Sequence, residues 1–112
     1  MNKIFQMLSG FFSKSEYDLS GDYFKNEFKK SENNVLLDVR TPAEHNNASL
    51  PSALHIDFLD PSFSSSVGKL RKDKNYFVFC RSGSRSASAV SMMRKMGFEA
   101  FNLVGGIGAW PA

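Results

Sequence analysis

The sequence predicts an α/β domain, a mainly parallel sheet covered on both faces by helices. Three observations lead there. Short continuous apolar runs, of the kind found in strands buried on both sides, recur along the chain; segments of helical spacing separate them; and cap or turn residues mark the junctions. The 112 residues, 42% hydrophobic and 22% charged, suffice for one compact domain and are too few for two of ordinary size. Eleven Phe, three Tyr and one Trp supply a sizeable core, so neither intrinsic disorder nor a metal staple is needed to account for the composition.

At the start of the chain Ile4, Phe5, Leu8, Phe11 and Phe12 stand at helical spacing, with Asn2, Lys3, Gln6 and Ser9 between them. This predicts a short amphipathic segment over residues 1–14 that packs on its own domain, residues 15–112. A single lysine and no small-x-small cleavage site argue against a membrane attachment or a signal peptide there. Leu19 and Phe24 are spaced as a hydrophobic staple around Ser20, the expected cap of a helix running to about Lys30. Asn33 and Asn34 break that helix, and Val-Leu-Leu-Asp-Val at 35–39 reads as a strand buried on both faces that ends at Arg40. Thr41, Pro42 and Glu44 then combine a Thr cap, Pro at the first helical position and Glu at the third, which places Arg40 at a strand-to-helix junction.

Ala-Leu-His-Ile at 53–56 reads as another short strand, followed by a Ser-rich loop or weak helix at 62–66. Lys72 to Asn75 form a polar turn into the β-prone run 76–79, which ends directly in Cys80. Farther on, Ala89, Val90, Met93 and Met96 make one face of a helix that Gly97 can end in a left-handed conformation. Residues 98–104 read as the last strand, and the tail from Gly105 to Trp110 as a tight turn that buries its tryptophan. No internal repeat is visible.

In open parallel sheets ligands collect at the carboxyl ends of the strands. Cys80 lies at one such end and Arg40 just past another, so the two are expected to share a pocket. The segment from Cys80 through Arg81, Ser82, Gly83, Ser84 and Arg85 to Ser86 follows a strand and opens a helix. Gly83 can take backbone angles closed to other residues, and the small serines let the chain curl so that successive N–H groups point at the sulfur. Such a nest, the positive end of the helix and two arginines together predict a Cys80 thiolate formed below the usual thiol pKa, with no histidine base required. A free cysteine is also commonly just a small buried residue. A loop carrying Gly and two arginines is a poor place for an inert one. Asp38 and Arg40 are supporting candidates: Asp38 reads first as part of an ion-pair network at the strand end, and Arg40 as either that or a site residue.

Counting narrows the partners. One cysteine excludes an internal disulfide framework and a multi-cysteine zinc site, and two histidines, His45 and His55, argue against a histidine-rich one. The expectation is no metal and no cofactor, although counting alone leaves a mixed carboxylate site open. The net charge of +3 is concentrated: acid and base balance over residues 1–79, and the excess comes from Arg81, Arg85, Arg94 and Lys95 against Glu99. That suggests a local anionic partner and not a nucleic acid, which needs a broader basic stripe. No run approaches the roughly 18 to 20 apolar residues that span a bilayer, so no stable membrane insertion is expected. No export signal is evident, and a free thiol stays reduced in the cytoplasm, the expected location.

The runs LLDVRTPAEH at 36–45, PSALHI at 51–56, FVFCRSGSRS at 77–86 and GFEAFNLVGGIGAW at 97–110 resemble the single-domain rhodaneses, a family of sulfurtransferases, in the family's order. The resemblance implies a three-layer α/β/α domain with a five-strand, mainly parallel central sheet, in which the strand ending at Cys80 lies between those of 35–39 and 98–104. It implies that Cys80 is a nucleophile that takes a sulfane sulfur from a donor such as thiosulfate, becomes a persulfide and passes the sulfur to a thiol or cyanide acceptor. The N–H groups of Arg81 to Arg85 would cradle the persulfide, and Arg81 or Arg85 would attract a small sulfur-containing anion. The chain departs from the family where many members read Gly-His in a turn after the helix Glu, here Ala48 and Ser49.

Rival readings are a persulfide carrier loaded by a protein persulfide donor, a non-catalytic rhodanese-like binding module, and a Cys-dependent phosphatase or arsenate reductase. Binding modules usually have a degenerate loop, which this is not. Phosphatase loops read Cys-x5-Arg, whereas Arg85 makes this one Cys-x4-Arg, a ring better sized for one sulfur than for a tetrahedral oxyanion.

Overall fold

Successive side chains of a strand point to opposite sides, and the central strands here are apolar on both. The computed structural model describes residues 14–112. Its strands are β1 (Asp18–Leu19), β2 (Asn34–Asp38), β3 (Leu54–His55), β4 (Asn75–Phe79) and β5 (Glu99–Leu103), joined in one sheet in the order β1-β5-β4-β2-β3. Every neighbouring pair is parallel. The helices are α1 (Gly21–Phe28), α2 (Pro42–Asn47), α3 (Phe63–Gly68) and α4 (Ser84–Lys95). On one face Leu37, Tyr76, Val78 and Ala100 pack with Phe63 and Val67 of α3 and with Ala89, Val90 and Met93 of α4. On the other, Leu36, Phe77, Phe79, Phe101 and Leu103 pack with Phe24 of α1. The result is the expected α/β/α sandwich, with the strand that leads to Cys80 in the middle.

Local chemistry sets the boundaries. Thr41 accepts from the Glu44 N–H while Glu44 accepts from the Thr41 N–H, the predicted capping box with Pro42 at the first turn. Helix α1 stops at Phe28, two residues short of the expected Lys30, because the Asn34 side chain donates to the carbonyls of Glu27 and Phe28 at 3.0 Å each and closes its end. Ser20 stands at the cap of α1, but its side chain makes no cap bond. The Ser-rich stretch forms α3, because Phe63 and Val67, one turn apart, both enter the core. At the other end of α4, Gly97 adopts the left-handed conformation expected of it, at φ +95°.

One expectation changes, one strand goes unforeseen, and one reading lies outside what is described. Trp110 is half-buried, not buried: it meets Phe24 and Phe28 edge-on at 6.1 Å between ring centroids, and its outer side carries the Lys25 ammonium at 5.3 Å. Strand β1, two residues pairing with Asn102 and Leu103, has no counterpart in the sequence reading, since two residues carry no period. The amphipathic stretch from Ile4 to Phe12 lies outside the described residues. Among the described residues, no helix is long and apolar enough to cross a membrane.

Candidate active site

The parallel register brings the ends of β2 and β4 together, Asp38 opposite Phe79, with the Val39 N–H donating to the Phe79 carbonyl at 3.0 Å. Cys80 and Arg40 therefore leave the sheet at its carboxyl edge on adjacent strands. The Cys80 side chain is fully buried. Gly83, at φ +101°, turns the chain so that its N–H donates to Sγ at 3.0 Å; the Ser86 N–H follows at 3.4 Å and the Ser86 hydroxyl lies at 3.3 Å. Burial alone would push the thiol pKa up. The bonds from Ser86, Gly83 and Ser82 outweigh it and hold the thiol below its ordinary value.

The back of this loop rests on the tail. The Cys80 backbone carbonyl accepts from the Ile107 N–H at 2.8 Å, and Gly106 lies so close that a Cβ on it would fall 1.9 Å from the Arg81 carbonyl oxygen. Only glycine fits there.

The five loop residues named from sequence separate in role. The N–H groups within bonding distance of sulfur are those of Gly83 and Ser86, with Ser82 contributing to the lowered pKa. Ser84 is exposed and begins α4. Arg81 is exposed, with no carboxylate in ion-pair range among the described residues. Arg85 is half-buried and bound through both guanidinium nitrogens to Glu44 at 2.8 and 3.1 Å. That fork holds the Glu44 carboxyl down to about 2.

Asp38 and Arg40 form a buried pair, Nε to Oδ1 at 2.9 Å and Nη2 to Oδ2 at 2.7 Å, with the Arg40 N–H also on Oδ1 at 3.0 Å. The His45 Nδ1 lies 2.9 Å from Oδ2, and the Ser49 hydroxyl donates to it at 2.8 Å. Burial would raise the Asp38 pKa, but the bonds from Arg40, His45 and Ser49 bring it to about 2. The Ala48 carbonyl accepts from Arg40 Nη2 at 2.5 Å. Ala48 and Ser49, the departure noted from sequence, thus both hold the Asp38–Arg40 pair, so the turn stays tied to the strand end. His55 donates from Nε2 to the Arg40 carbonyl at 2.7 Å and stacks on His45 at 4.4 Å. Asp38 and Arg40 are consumed in this internal network beside the loop. Among the described residues, no three His, Cys, Asp or Glu side chains gather as a metal site.

Ser86 and Asn102 were missed as site residues. Both are buried, and the Ser86 Oγ stands 2.5 Å from Asn102 Oδ1. A signal existed for Asn102, a polar residue inside the apolar run of the last strand. For Ser86 there was none beyond its place at the end of the loop segment.

A family model described as the rhodanese-like domain matches residues 20–112. The chain is similar to "Putative sulfurtransferase YtwF" of Bacillus subtilis (strain 168), 33% identical over 93 residues, 83% of this chain and 88% of that one. It is similar at 33% over 95 residues to a protein named "Sulfurtransferase" from Allochromatium vinosum, covering 83% of this chain and 86% of that one. Among solved structures, a rhodanese-like domain protein from Staphylococcus aureus matches with a TM-score of 0.73 and 29% identity, over 84% of this chain and 90% of that one.

Proposed function

The chain belongs to the rhodanese-like domain family, and we propose that it is a sulfurtransferase working through a persulfide on Cys80. The observation that carries the proposal is the Cys80 sulfur itself, held at the end of the central strand by the N–H groups of Gly83 and Ser86, with the Ser86 hydroxyl at 3.3 Å and the thiol pKa lowered. Those donors favour negative charge on sulfur, so a nucleophile forms without a base in contact with it.

With thiosulfate as donor, the Cys80 thiolate attacks the outer sulfur. A Cys–S bond forms, the sulfur–sulfur bond of thiosulfate breaks, and sulfite leaves with the electron pair. The persulfide's outer sulfur now carries the charge in the nest. An acceptor, a thiolate or cyanide, attacks that sulfur, leaves as a new persulfide or as thiocyanate, and returns the Cys80 thiolate. Arg81, exposed and unpaired by any described carboxylate, is the charge that draws an anionic donor to the loop. Arg85 instead secures the loop to α2 through Glu44. An arginine engaged in this way does not clasp a phosphate, which agrees with the short Cys-x4-Arg spacing and counts against phosphatase chemistry.

The test is the intact mass of the reduced protein after thiosulfate and then cyanide. One added sulfur atom that cyanide removes is expected, and none in Cys80→Ser, which keeps the fold. No added sulfur on a folded, reactive thiol overturns thiosulfate as donor and points to a protein persulfide donor. Transfer near the wild-type rate in Cys80→Ser overturns the nucleophile assignment, and Cys80-dependent hydrolysis of an aryl phosphate overturns the reaction class.

A further inference from the structure

Behind Cys80 runs a polar chain across three elements, buried at Ser86 and Asn102 and half-buried at Asp18. Asn102, on β5, donates from Nδ2 to Asp18 Oδ1 at 2.9 Å and towards the Gly83 carbonyl at 3.4 Å. Both of those partners are acceptors, so they fix the amide with its NH2 towards them and its oxygen towards Ser86. Asn102 Oδ1 accepts only. At 2.5 Å from it, the Ser86 oxygen must supply the proton that lies between them.

A hydroxyl has one proton, and Ser86 has two groups that want it. Cys80 Sγ is 3.3 Å away and Asn102 Oδ1 is 2.5 Å away. When Cys80 is a neutral thiol there is no conflict: Ser86 donates to Asn102 and its lone pair faces the sulfur. When the sulfur is negative, Ser86 either turns its lone pair on the charge or gives its proton to sulfur and leaves two bare oxygens facing each other. Each arrangement is unfavourable for groups as buried as these.

We propose that Asn102 is a positioning residue for Cys80, one that holds the Ser86 proton and so limits how strongly Ser86 supports a charged sulfur. This inference rests on Cys80 being the nucleophile. It deepens that reading in one respect. In a persulfide the inner sulfur is neutral and the outer one carries the charge, so Ser86 returns its proton to Asn102 without conflict. The Ser86–Asn102 pair therefore favours the sulfur-loaded state over the free thiolate.

The charged groups around the sulfur are Arg81 on its own loop, Arg85 of α4 with Glu44 of α2 bound to it, Asp38 and Arg40 at the neighbouring end of β2, and Asp18 of β1 behind Asn102. A neutral replacement of Asn102 leaves all of them in place. The thiolate's ultraviolet absorbance, followed against pH with Cys80→Ser as the blank, reads the one cysteine directly. In Asn102→Leu, Ser86 is free to donate to sulfur, and the midpoint should fall by about half to one pH unit, roughly a three- to tenfold gain in thiolate below it. Ser86→Ala should titrate above Asn102→Leu, because it has no hydroxyl proton to give to sulfur. The double variant should titrate like Ser86→Ala alone, because Asn102 acts through Ser86. Asn102→Ala gives the same test if the leucine variant does not fold.

An unchanged or raised midpoint in the Asn102 variants, or a shift that persists without Ser86, overturns the inference. The titration uses no sulfur donor. A failure to load sulfur from thiosulfate therefore strikes the sulfurtransfer reading and not this one.

Discussion

Asp38 and Glu44 are carboxylates each held by an arginine, and each has its pKa drawn down to about 2 in the folded protein. Their ordinary values are 3.8 and 4.5. Carboxyls depressed by folding add stability that is fully present above the unfolded values and is lost as pH falls through the folded ones. Stability measured by denaturant titration should accordingly be flat from neutral pH to about 5 and decline between about 4 and 2. Asp38→Asn should shrink that decline and lower the neutral-pH stability, since Arg40 would keep its buried position without a counter-charge. An acid limb unchanged by Asp38→Asn would show that the pair is not linked to folding. Residues of this kind were partly legible in the sequence. Asp38 and Arg40 lie two apart on one strand end, so a local pair could be inferred. Arg85 and Glu44 are 41 positions apart and Ser86 and Asn102 are 16 apart, and nothing in a single sequence joins them.

Elements were easier to foresee than contacts. Strands β2, β4 and β5 announce themselves because strands covered on both faces need near-continuous apolar runs, and α2 because its cap chemistry is written in consecutive residues. Strand β1 was invisible for the opposite reason: two half-buried residues gain their structure by pairing with β5, not from any pattern of their own. The tail was read as a tight turn, but its purpose comes from what it touches. Gly106 sits against the Arg81 carbonyl, and the 3-10 turn Ile107–Ala109 carries the N–H that donates to the Cys80 backbone carbonyl. A Cβ at Gly106 has no room, so Gly106→Ala should push the tail off the loop, loosen the N–H groups around sulfur and reduce sulfur loading by thiosulfate at least tenfold. Circular dichroism should still report the sheet and helices, because the turn lies outside both cores' central strands. Wild-type loading in this variant would show that the tail does not shape the loop.

Across the whole molecule, positive charge is a late-chain property: residues 80–112 carry all of the net +3. An anionic donor should therefore be steered to the loop, and its second-order loading rate should drop several-fold between about 10 and 150 mM salt as the Debye length contracts from roughly 30 to 8 Å. Most of that dependence should vanish in Arg81→Ala, and a neutral sulfur donor should show little of it in either protein. A salt response that Arg81→Ala leaves intact would place the steering charge elsewhere. Asn102 and Ile107, which complete the surroundings of Cys80, both follow it in the chain. While the polypeptide is being made, Cys80 therefore leaves the ribosome before the strand and turn that complete its surroundings. Until they arrive it is an ordinary, weakly ionised thiol. With Cys80 as the proposed nucleophile, its activation would come only with completed folding, and an unfolded chain would lack the donors that lower the thiol pKa.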